Sequence, residues 1–118
     1  MRIATIACLS ALVAATLVGC GSNVPPPNDE WAAAQGDVGR AQAGGAPNVP
    51  DAKLHLQLAQ EDLQTSKGLI GQDNRRATDL VWVARVEAQL ALSLAKQQLT
   101  EEEARKAQAD LAKTKAGQ

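Results

Sequence analysis

The chain has 118 residues, with twelve Lys/Arg against thirteen Asp/Glu, two tryptophans and no tyrosine or phenylalanine. That length holds one domain, and a charge so near neutral argues against nucleic acid or an anionic lipid surface as a partner. Two aromatic residues provide no stacking platform for single-stranded nucleic acid.

Met1 and Arg2 give a short positive start, Ile3 to Val18 carries no charge, and Gly19-Cys20 closes the run. A positive start, an apolar stretch and a small residue at its end describe a secretory signal over residues 1–19. The stretch is shorter than the roughly 20 apolar residues that span a bilayer.

Leu17-Val18-Gly19-Cys20 resembles the lipobox of bacterial lipoproteins: an aliphatic residue, a tolerant position, a small residue and the acceptor cysteine. The resemblance implies cleavage between Gly19 and Cys20, a diacylglyceryl group on the cysteine sulfur, and often a further acyl chain such as palmitate on the freed amine. Two or three chains would anchor firmly. A single chain holds only marginally, because each buried methylene contributes ~0.8 kcal/mol. An uncleaved signal anchor, or a plain signal peptide with Cys20 incidental, is the other reading. Gly21 stands where an Asp would favour inner-membrane retention in enteric bacteria. The expected location is therefore the cell envelope, at the outer membrane and facing the periplasm. Cleavage would leave eleven basic and thirteen acidic residues, a formal charge of -2, and one cysteine. Such a chain cannot close an internal disulfide. Ala and Leu supply most of its apolar content, so the core is thin and an isolated monomer is expected to be marginally stable.

Residues 20–27 read as the lipidated cysteine and a Pro-rich tether. Pro25, Pro26 and Pro27 favour an extended arm that has little to bury. A short first helix is expected from Asp29 to Ala43, capped by Asn28, with Trp31, Ala34, Val38 and Ala41 at helical spacing. Gly44-Gly45-Ala46-Pro47 ends it. The second helix starts near Val49 to Asp51, with Asn48 as cap and Pro50 in its first turn. Its stripe is Ala52, Leu56, Ala59, Leu63, Ser66 and Ile70, and its exit is marked by Gly68 and Gly71.

The third helix is long, from Asn74 to Lys113, capped by Asp73. Ala77, Ala84, Ala88, Ala91 and Ala95 fall on one strip. Val83, Leu90 and Leu94 lie on one flank of that strip, and Val81, Leu92 and Leu99 on the other. Small residues between larger ones suit a helix packed against two others. After Leu99 the apolar signal lapses, and Glu101–Arg105 and Glu102–Lys106 are spaced for ion pairs on a solvated helix. The helical domain is thus expected over 28–113 and a frayed tail over 114–118. The fold class is all-α: a helical hairpin or small three-helix bundle with a long C-terminal helix, after a signal peptide.

The stretch from Ala41 to Leu99 resembles small bacterial lipoproteins and OmpA-associated modules grouped as a domain of unknown function. The likeness rests on the Ala46-Pro47 entry, Ala59 and Leu63 on the following helix, a Gly-containing turn and an Ala-rich return helix. It implies no catalytic residues, and the OmpA-like peptidoglycan-binding domain of some members is absent here.

Chemistry is sparse. The only histidine, His55, has no cluster of partners in the sequence and reads as a surface residue, not a metal ligand or base. Glu61 and Asp62 are adjacent on a helix, so their side chains diverge. No phosphate loop, serine nucleophile motif or dinucleotide fingerprint is present. No metal or cofactor is expected, and no enzyme.

Three features remain. Trp82 and Val86 lie on the side of the third helix away from the alanine strip. An outward tryptophan suits an interface, but packing under the first helix or the arm is the ordinary reading of Trp82. Glu87 reads as a rim partner of a lysine such as Lys67, with a buried polar contact as the alternative. Arg75-Arg76 reads as a solvated pair, with lipid headgroups as the alternative.

The sequence leads to a non-enzymatic envelope lipoprotein that engages the membrane through Cys20 and offers its bundle to an envelope protein. The alternative is a self-associating structural lipoprotein like murein lipoprotein, although the Lys115-Ala116-Gly117-Gln118 end lacks that protein's terminal lysine. A carrier of small apolar ligands is disfavoured, because so thin a bundle offers little cavity.

Overall fold

The computed structural model describes residues 24–117. The leader, Gly19, Cys20 and the first residues of the arm lie outside them. The described chain is all-α: α1 (Asn28–Ala43), a 3-10 turn (Ala46–Asn48), α2 (Pro50–Leu69) and α3 (Asn74–Ala116). α3 packs chiefly on α2 as an antiparallel hairpin, and α1 lies across both, mostly against α3. Among the described residues no helix is long and apolar enough to cross a membrane.

The helix starts differ in detail from the expected ones. Asn28 is the first residue of α1 and not its cap, because the Pro27 carbonyl already accepts the Trp31 amide at 2.9 Å. Asn48 does not cap α2 either. It lies in the 3-10 turn, and Val49 takes the cap position with φ -110° and ψ 118°. Pro50 causes this, since its ring drives the preceding residue into extended geometry while its own φ suits a first helical turn. Asp73 does cap α3, its carboxylate accepting the Arg76 amide at 3.1 Å. Gly45 and Gly71 adopt φ of 91° and 86° at the two interhelical corners, a region open to glycine at no steric cost.

The core follows the alanine strip. Ala77, Ala84, Ala88 and Ala91 of α3 are fully buried, as are Ala52 and Ala59 of α2 and Ala34 and Ala41 of α1. Side chains this small let the three backbones approach closely. Leu56 and Leu63 are the only buried leucines among the described residues, so the core is thin, as expected.

The two flanks of the strip have different fates. Val81 is buried and Leu92 packs against the core. On the other flank Leu94 also packs against the core, but Val83 and Leu90 remain 37% and 40% exposed; Leu99, on the first flank, is 56% exposed. α1, of only 16 residues, covers one side of the hairpin and leaves the other open.

Both ends of the domain depart from expectation. The arm was expected to have little to bury, yet Pro27 is buried and the Val24 carbonyl accepts the Asn74 side-chain amide at 2.8 Å. The same Asn74 accepts the Gly71 amide through Oδ1 at 2.7 Å, which ties arm and α2–α3 corner together. At the other end the helical span of α3 extends past the expected Lys113 to Ala116, with Lys113 and Lys115 in its last turn, where cations favour the helix. Every residue from Leu99 to Gly117 is exposed. The 18 helical residues from Leu99 to Ala116 project about 27 Å beyond the bundle. The expected ion pairs of Glu101 and Glu102 are replaced by hydrogen bonds from Gln97 and Gln98, each at 2.9 Å.

Candidate functional site

Eight large apolar side chains are exposed among the described residues, and six lie on the hairpin itself: Leu54 and Leu58 on α2, and Trp82, Val83, Val86 and Leu90 on α3. The remaining two, Leu99 and Leu111, belong to the projecting end of α3. Trp82 is 66% exposed and Val86 44%. Trp82 therefore does not pack under α1 or the arm. One turn apart on α3, it and Val86 present the apolar surface that an interface requires.

A polar cluster bridges α2 and α3. His55 Nδ1 lies 2.5 Å from Glu87 Oε2 across the helix pair. Both side chains are about a quarter exposed. Glu87 thus makes the partly buried polar contact and does not pair with Lys67, whose ammonium stands 5.3 Å from the centre of the Trp31 ring. His55 is correspondingly not a plain surface residue. Asp62, one α2 turn beyond Leu58, completes the cluster. Burial pushes its carboxyl above the ordinary 3.8, with Glu87 and then Glu61 adding to the effect. Adjacent residues on a helix diverge, yet both carboxylates still raise the cost of ionising Asp62.

The sign of this shift gives a prediction. Asp62 holds its proton more readily folded than unfolded. Its ionisation therefore opposes folding above the raised value, and the penalty disappears as pH falls below the ordinary carboxylate range. Asp62→Asn should raise the urea midpoint at neutral pH and leave it near that of the parent protein in acid.

A second cluster, on the covered side, was not anticipated. Asp37 is only 4% exposed. Its carboxylate accepts from Arg85 Nε of α3 at 3.0 Å and from Arg40 Nη2 on its own helix. This is a structural clamp between α1 and α3, because one buried carboxylate satisfied by two guanidiniums offers no free group for chemistry. Arg85→Ala should lower stability by about 1–3 kcal/mol, as a charge-assisted bond to a buried carboxylate is lost. Combined with Asp37→Ala in a double-mutant cycle, the losses should be less than additive.

The grooves are shallow. One of about 270 Å³ runs between α1 and α2, lined by Trp31, Gln35, Val38, Gln42, Gln60 and Gln64. Another, of about 610 Å³, lies where the 3-10 turn meets the start of the projecting helix, lined by Val49, Pro50, Ala95, Gln98, Leu99 and Glu102. Neither is lined by His55 or Glu87. Among the described residues no three His, Cys, Asp or Glu are grouped to hold a metal ion.

Of the sequence-derived site residues, the structure brings Trp82 and Val86 together on one open face and adds Val83 and Leu90 to them. Gly19 and Cys20 are outside the described residues. No protein family, curated protein or solved structure matches the chain.

Proposed function

We propose that this chain is a lipid-anchored, non-enzymatic module of the bacterial cell envelope. It is cut after Gly19, acylated on Cys20 and displayed on the periplasmic side of the outer membrane. The observation that carries the reading beyond the leader is the seat of the arm. Val24, four residues after Cys20, is hydrogen-bonded to the first residue of α3. A lipid on Cys20 would thus sit close to the α2–α3 corner, with α3 running away from it. Its 43 residues span about 64 Å, so the projecting end stands farthest from the anchored corner.

Cys20→Ser tests the anchor. The parent protein should fractionate with membranes and require detergent for release, whereas the variant should be recovered in the soluble envelope fraction. Equal membrane retention with normal loss of the leader would contradict the proposal.

The 18-residue helical projection favours a second reading, self-association. It carries Leu111, 62% exposed, and no residue buried against its own bundle. Sedimentation of the acyl-free protein over a wide concentration range separates the two. A concentration-dependent dimer or trimer lost on removing residues 100–118 supports self-association, and a monomer throughout excludes it.

A further inference from the structure

We infer that the exposed Trp82–Val86–Leu90 side of α3 rests on the same bilayer that receives the lipid of Cys20. The inference relies on the anchor proposed above. Its warrant is the short length of chain between the lipid and the fold. Val24 is held on Asn74, and Cys20 precedes it by four residues, a reach of at most about 14 Å. Trp82 stands eight residues into α3, about 12 Å along its axis. The membrane surface and the tryptophan are therefore confined to the same end of the molecule.

The chemistry of this side fits a lipid–water interface. Trp82 is 66% exposed, followed at Val86 and Leu90 by side chains 44% and 40% exposed, all within one side of the helix. An indole is amphipathic and favours the headgroup level, and aliphatic neighbours suit the acyl boundary. Arg75 and Asp79, the charges that share this side a turn or two earlier, cancel. The contact would therefore need little anionic lipid. A protein partner of the same chain would have to share the narrow space that the short tether leaves beneath this end.

The test uses the full chain, acylated and reconstituted into vesicles of phosphatidylethanolamine and phosphatidylglycerol. In the Trp31→Phe protein Trp82 is the only fluorophore. Its emission should move to shorter wavelength relative to the unacylated Cys20→Ser, Trp31→Phe protein, and bromine placed near the top of the acyl chains should quench it severalfold more than aqueous iodide does. If Trp31→Phe weakens the fold, the difference between the parent and Trp82→Phe proteins reports the same signal with Trp31 intact. Emission unchanged and fully open to iodide, in protein whose mass proves acylation, would overturn the inference and leave the anchor standing. Protection from both quenchers, with crosslinks from position 82 to a protein or to a second copy, would also overturn it. Absence of acylation by mass would overturn the anchor and this inference together.

Discussion

Ala88→Leu is expected to lower stability by about 3 kcal/mol, the upper end of the usual cost of overpacking a filled core. Ala88 has no exposed surface and lies between Ala84 and Ala91, which have none either. The seam between α2 and α3 depends on side chains that end at Cβ, so three added carbons meet backbone and neighbouring alanines, not a void. The helices must then separate along their length, which uncovers Leu56 and Ala59 on α2 as well. Against a total of about 5–15 kcal/mol for an ordinary domain, and less for a core this thin, the variant should be substantially unfolded near body temperature. Urea unfolding followed by circular dichroism measures the loss. Gln89→Leu, one residue along on the exposed side, should change the midpoint little.

Leu63→Ala is expected to cost about 2–5 kcal/mol, because removing a buried leucine forfeits its transfer energy and leaves a cavity. The site is sensitive for a specific reason. Leu63 is 6% exposed and one of two buried leucines among the described residues, so the small alanines around it cannot fill the gap. It also lies where α1 docks, since the Trp31 indole N–H donates to the Leu63 carbonyl at 3.1 Å. The backbone acceptor survives the substitution, but the apolar wall beside the indole does not. Trp31 fluorescence in a Trp82→Phe background should therefore move to longer wavelength at low urea, before the α2/α3 hairpin melts. Coincident loss of both signals would place α1 in the same cooperative unit as the hairpin.

Much of this architecture is written in local spacing. The alanines of α3 recur at three, four and seven residues and mark the seam directly. Asp73 has the chemistry of a cap, and Gly44-Gly45 and Gly71 mark the corners. The asymmetry of the bundle is less visible, since the sequence shows two flanks of large residues but not that the short α1 covers only one. Asp37 is instructive. A carboxylate on a helix ordinarily reads as solvated, yet position 37 falls three residues after Ala34 and four before Ala41, on the buried stripe. That spacing, together with Arg40, was the available signal. The His55–Glu87 pair spans 32 residues and depends on the register of α2 against α3, which no local pattern encodes. The Lys67 pairing expected for Glu87 failed on the same ground. The helical projection after Leu99 also ran past its expected end, because a charged helix without a core partner is held by capping and side-chain bonds too weak to weigh by pattern.

The site divides in the same way. Trp82 and Val86 could be placed opposite the alanine strip from their spacing alone, but the exposure of Trp82 depends on which flank of α3 the first helix covers. The attachment of Val24 to Asn74 could not be foreseen at all, because it spans 50 residues.

The central claim is the acylated cysteine, and the most direct measurement is mass spectrometry of the N-terminal peptide from membrane-purified protein. The account predicts a mature chain that begins at Cys20 and carries the mass of a diacylglyceryl group, with or without a further acyl chain on the amine. A peptide that retains residues 1–19, or one that begins at another residue or at an unmodified Cys20, would contradict it.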